Sequence, residues 1–201
     1  MASLQRKGGS EPIGQIGLLH TRITAQMVRA SQATQYSVGD AISNSQTQAD
    51  VVPITFSNAA RFKNGSGRII EARITLTAAS GTVVIPAFDL LLFRPDTDIP
   101  FAAAAYAADN TALNISAAAY KQLIGVFAFT DAAWRNQAGG ATAAGGHLHQ
   151  RQSALGTISE TMFDLDGLNS ASILGLMQAQ NTWNPGAVAQ TFDFALTIEQ
   201  D

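Results

Sequence analysis

Cysteine is absent from this 201-residue chain. That excludes disulfide staples and thiolate metal sites, and it leaves the redox compartment undetermined. Charge is scarce as well: Asp, Glu, Lys and Arg together make up 13% of residues, about half the usual quarter. The formal net charge is −3, so no long-range attraction to nucleic acid or anionic lipid is expected. No apolar run approaches the ~20 residues of a membrane-spanning helix. Arg6 and Lys7 are followed by Gly8, Gly9, Ser10, Glu11 and Pro12, where an apolar signal core would have to begin. The chain is therefore expected to be soluble and unprocessed, with neither membrane nor nucleic acid as a partner.

What is present is a supply of apolar residues, 46% of the chain, ample for the core of one large domain. With so little charge, the surface falls to Ala, Ser, Thr, Gln, Asn and Gly. Such a surface costs less to desolvate than one of Lys and Glu, and suits repeated contact with other protein copies. A small-residue bias of a GC-rich genome would give the same composition.

The most informative stretch is 67–94, GRIIEARITLTAASGTVVIPAFDLLLFR. Ile70, Ala72, Ile74, Leu76 and Ala78 alternate with Glu71, Arg73, Thr75 and Thr77, the period of a strand with one wet face. Ala79, Ser80 and Gly81 supply a turn. The following arm to Phe93 is apolar on both faces apart from Asp89, as in a strand covered on both sides. Pro86 marks a bulge or a strand switch. We expect a long hairpin whose second strand lies near the middle of an antiparallel sheet.

Other strands follow. Val52, Ile54 and Phe56 alternate near Pro53, an edge signal. Ser116 can cap a short helical turn over 117–122. Leu123, Phe127 and Phe129 share a face. Residues 172–180 are largely apolar, and 188–199 alternate cleanly about Phe192, Phe194, Leu196 and Ile198. Seven or eight strands with little helix point to an all-β fold, an antiparallel two-sheet sandwich with jelly-roll connectivity. Ile74, Leu76, Phe88, Leu90, Phe192, Phe194 and Leu196 are expected in one core cluster. Residues 1–48 read differently: an extended polar N-terminal arm, with a sandwich domain over 49–201. Its sparse apolar anchors are Ile13, Ile16, Leu18, Leu19, Ile23, Met27 and Val28. They cannot bury enough surface alone to offset roughly 1–2 kcal/mol of backbone entropy per residue. The arm is expected to order only against a neighbouring subunit.

Chemistry is harder to find. His147 and His149 sit at metal-ligand spacing for a strand, but they follow Gly145-Gly146 in an aperiodic stretch over 131–150, expected to be a loop. Asp164-Leu165-Asp166-Gly167 opens like a calcium loop, yet Leu168 and Gly175 stand where acids are needed. A strand-ending turn is expected there instead. Gly139-Gly140 and Gly145-Gly146 lack the Lys and the Ser or Thr of a phosphate loop. Glu160, Asp164, Asp166 and Asp193 could converge only in space. None of His20, His147 and His149 adjoins a nucleophile elbow. No catalytic residue, cofactor or metal is expected. Trp134, Trp183 and Tyr106 lie in or near loops. Trp134 and Trp183 are candidates for an interface or for stacking on a glycan.

Four segments together carry a family resemblance: SVGDAISNS (37–45), VVPITFSNAARFKNGSGRIIEARI (51–74), LLLFRPDTDIPF (90–101) and DNTALNISAAAYKQLIGVFAF (109–129). The chain resembles small virion or capsid-decoration proteins of tailed bacteriophages and prophages, commonly encoded near the major capsid protein. The resemblance covers roughly 37–130 and, more loosely, the final strand. It implies a structural protein made in the host cytoplasm and residing on the virion surface, where it binds the major capsid protein as a symmetric oligomer, most plausibly a trimer. It supplies no catalytic residues. A carbohydrate-binding or host-recognition module on the virion is the alternative.

Overall fold

A computed structural model describes residues 19–29, 31–78, 86–95, 107–136, 147–153 and 162–200, with the backbone alone at 19, 133, 135–136 and 147–153. The strands, in chain order, are β1 (Leu19–Arg29), β2 (Ala41–Ile42), β3 (Ile54–Phe56), β4 (Ser66–Ala78), β5 (Phe88–Phe93), β6 (Leu123–Phe129), β7 (Arg135–Asn136), β8 (His147–Ser153), β9 (Met162–Asp164), β10 (Ile173–Ala179) and β11 (Gln190–Gln200). One short helix, α1 (Ala117–Tyr120), is capped by the Ser116 hydroxyl, which accepts from the Ala119 N–H at 3.1 Å.

All strand pairs are antiparallel. One sheet runs β1-β11-β4-β8-β7, with β9 also on β4; the other runs β2-β10-β5-β6, with β3 also on β10. The pairings nest: β1 with β11, β2 and β3 with β10, β4 with β8 and β9, β5 with β6. A chain folded into one long hairpin, then rolled until β11 meets β4 and β10 meets β5, gives this order. It is the jelly roll expected from the sequence.

The seven expected core residues are buried in one cluster between the sheets. Phe192 and Phe194 of one sheet meet Phe88 and Phe56 of the other edge-on, at 6.0 and 6.2 Å between ring centroids. Gly175 of β10 makes room for this packing: a Cβ there would come within 3.2 Å of both Leu90 and Phe56. The doubly apolar β5 is explained by what lies on each side. Phe88, Leu90 and Leu92 face the core. Leu91 and Phe93 join Val51, Leu113 and Leu176 in a second cluster, against which Ala107 and Ile115 of the β5–β6 connection also pack.

The structure corrects several expectations. β4 and β5 form no hairpin; they lie in opposite sheets. Hydrophobic alternation marks a strand but not its partner: the chain passes from one sheet to the other between Ala78 and Phe88. The turn at 79–81 lies outside the described residues. Ile70 does not belong to the buried face. The register passes from Thr197↔Glu71 to Ile198↔Ile69, so Ile70 is bulged out and Ile69 is fully buried instead. A second bulge, at Ile124, turns Leu123 to the outer cluster. The 131–150 stretch is not all loop, since β7 and the start of β8 fall within it.

The arm changes most. β1 pairs with β11 through all eleven of its residues, and Ile23 and Met27 are buried in the chain's own core. The missing apolar face comes from this chain rather than from a neighbour. Val28 points outward and is 46% exposed. Leu19 opens β1, while Ile13, Ile16 and Leu18 lie outside the described residues. The sandwich therefore includes residues placed before the expected boundary at 49.

Candidate functional site

Both tryptophans turn inward. Trp134 is 6% exposed, donates its indole N–H to the Pro86 carbonyl at 2.9 Å, and lies 6.4 Å from the Phe88 ring. Trp183 is 3% exposed and stacks on Tyr36 at 4.8 Å. A sugar platform needs a ring face open to solvent, and neither indole has one. Tyr106 lies outside the described residues.

Trp183 belongs to a buried polar node that the sequence did not reveal. Arg29, at the end of β1, is fully buried with its guanidinium carbon 5.7 Å from the Trp183 ring. Its Nε donates to Gln190 Oε1 at 3.1 Å and one Nη to the Val188 carbonyl at 2.8 Å. The other Nη lies 3.8 Å from the Asp109 carboxylate. That carboxylate also accepts from the Tyr36 hydroxyl at 2.6 Å, Gln32 Nε2 at 2.5 Å and the Ser43 N–H at 2.8 Å. Burial pushes the Asp109 carboxyl above the ordinary carboxylate range, outweighing the Tyr36, Ser43 and Arg29 contacts that pull it down. Burial, then the Asp109 charge, raises the Tyr36 phenol so that it keeps its proton. With Arg29 and Tyr36 closed to solvent, the node exchanges nothing with a substrate. It ties β1, the approach to β2, the β5–β6 connection and the approach to β11 into one corner.

The carboxylate and histidine candidates do not form a centre. Asp193 and Asp164 lie opposite Thr75 and Ser66 of β4, roughly 30 Å apart at the rise of a strand. Asp193 accepts from Gln26. Asp164 and Asp166 form the expected turn, with Asp164 Oδ1 accepting from the Asp166 N–H at 2.8 Å and Gly167 at φ 75°. Glu160 lies outside the described residues. His20 is next to Glu199 at 3.5 Å, while His147 and His149 lie within β8 rather than in a loop. Among the described residues no group of three His, Cys, Asp or Glu could hold a metal, and no helix is long and apolar enough to cross a membrane.

An apolar groove opens where the chain leaves the β10 edge between β2 and β3. Met177 pairs with Ile42 and Gly175 with Ile54, leaving Leu176 unpaired on that side. The groove, about 310 Å³ including its open mouth, is lined by Val51, Val52, Pro53, Leu113 and Leu176 among others, and by no titratable side chain. It can hold apolar groups but cannot move a proton.

The surface offers a different kind of site. Of nine described phenylalanines, eight are buried; Phe62 is 60% exposed, between exposed Arg61 and Lys63. These three residues sit at the tip of the β3–β4 connection, and its flanks are pinned. The buried Gln200 amide donates to the Asn58 and Ala59 carbonyls at 2.8 and 3.0 Å. The Ala60 and Asn64 N–H groups donate to Ala171 and Ser170 carbonyls at 3.0 and 2.9 Å. Asn64 Oδ1 accepts from the Asn169 N–H at 2.6 Å.

No family model matches the sequence, and no curated protein matches it. Among solved structures, a chain of the cyanophage Pam1 capsid asymmetric unit matches over 100% of this chain and 97% of its own, at 10% identity and a TM-score of 0.32. That score is too low to equate the two folds.

Proposed function

We propose that this chain is a structural protein of a tailed-phage virion and, more narrowly, a decoration protein. It binds the outer capsid lattice as a symmetric oligomer, most simply a trimer, and has no catalytic role. One observation supports this above others. Two of the segments that carry the resemblance clasp each other. In 37–45 and 109–129, the Ser43 N–H donates to Asp109 Oδ1, Asp109 N–H to the Ser45 carbonyl, Ala41 N–H to the Thr111 carbonyl, and Leu113 N–H to the Gly39 carbonyl. These two segments thus make one structural unit of the sandwich. A charge-poor jelly roll, with its buried Asp109 carboxylate committed to Tyr36, Ser43 and Arg29, suits permanent contact with other proteins. The glycan-binding alternative loses its two candidate residues to the core.

Quantitative mass spectrometry of purified virions tests the proposal. The expected result is a copy number in fixed proportion to the major capsid protein. Absence from the particle would overturn it.

A further inference from the structure

We infer that Phe62, with Arg61 and Lys63 beside it, is the anchor by which this chain docks on a protein surface bearing an apolar pocket rimmed by carboxylates. The inference rests on the virion proposal, which makes that surface the capsid lattice. Three observations carry it. Phe62 is the one described phenylalanine left in water, and aromatic side chains dominate the energetics of protein contacts. Its backbone is held ready: the Phe62 carbonyl accepts from the Gly65 N–H at 3.1 Å, and Asn58 and Asn64 take positive φ of 59° and 61°. A pinned loop loses little freedom on binding. Arg61 and Lys63 add two positive charges in a chain whose net charge is −3. Neither forms an ion pair among the described residues, although Asp164 and Asp166 lie on the neighbouring turn. An apolar knob flanked by two such cations is complementary to an acidic rim around an apolar pocket.

The test is binding of the full chain to undecorated particles of the major capsid protein, at several salt concentrations. Phe62→Ala is expected to weaken binding about 30-fold or more, the equivalent of losing one buried aromatic anchor, with its thermal midpoint unchanged. The double variant Arg61→Gln/Lys63→Gln keeps the ring; it is expected to bind more weakly and with a flatter salt dependence. Both of its changes are at exposed side chains, so the salt comparison holds even if the Phe62 variant misfolds. Wild-type affinity and salt dependence in both variants would overturn the anchor and leave the virion role standing. A wild-type chain that binds no particle would overturn both.

Discussion

Asp109→Ala probes the buried node most sharply. The substitution removes the carboxylate that faces the Arg29 guanidinium at 3.8 Å, with neither side chain exposed to solvent. It also removes the acceptor for the Tyr36 hydroxyl and the Ser43 N–H. A buried pair need not stabilise a fold relative to apolar packing, but breaking one costs about 3–5 kcal/mol because the surviving charge stays buried. Arg29 keeps Gln190 and Val188 as partners, so the loss should fall within that range and not beyond it. Against a total stability of roughly 5–15 kcal/mol, this is a large fraction. Urea unfolding followed by tryptophan fluorescence suits the measurement, since Trp183 stacks on Tyr36 within the node. Pairing Arg29→Met with Asp109→Asn should cost less than the sum of the single changes, by about 1–3 kcal/mol. A loss below about 1 kcal/mol for Asp109→Ala, with an unchanged denaturant slope, would refute the node as a structural lock.

The same carboxylate gives a pH dependence. Its folded pKa is raised above the ordinary 3.8 by burial, so its contribution is fully present below that value and is lost as pH rises through the folded pKa. Asp89 is raised by burial too, so the comparison is wild type against Asp109→Asn, and it should shift in favour of wild type as pH falls. Phe194→Ala, which empties the centre of the sandwich, should cost about 3–5 kcal/mol in the same unfolding assay. Deleting 1–18 removes none of the contacts described above and should leave the unfolding transition in place. Deleting 1–36 removes β1, Arg29 and Tyr36, and should abolish cooperative unfolding. A folded sandwich after the longer deletion would show that β1 is dispensable.

The sequence made individual strands legible wherever one face is wet, as in β11 and most of β4, because period-two alternation records burial directly. Pairing was not legible. Nothing local distinguishes a β4–β5 hairpin from a crossing between sheets, and the bulge at Ile70 shows only once β11 supplies a register. β1 was hidden for a related reason. Ile23 and Met27 alternate with polar residues inside a polar segment, and their partner strand lies at the other end of the chain. The node was hidden further still, since Arg29, Tyr36 and Asp109 are joined only by the rolling of the fold. Ser116 and the Asp164–Gly167 turn were legible because capping and turn chemistry are local. Trp134 and Trp183 misled because their loops fold back over the ends of the core. Phe62 carries no local signal in the sequence and stands out only once the other eight described phenylalanines are seen to be buried.

Image reconstruction of purified virions tests the proposed role most directly. The jelly-roll density of this chain is expected at repeated positions on the outside of the head lattice, with the β3–β4 tip carrying Phe62 directed at the major capsid protein. A head lattice without that density, or the chain found only on the tail, would contradict a decoration role.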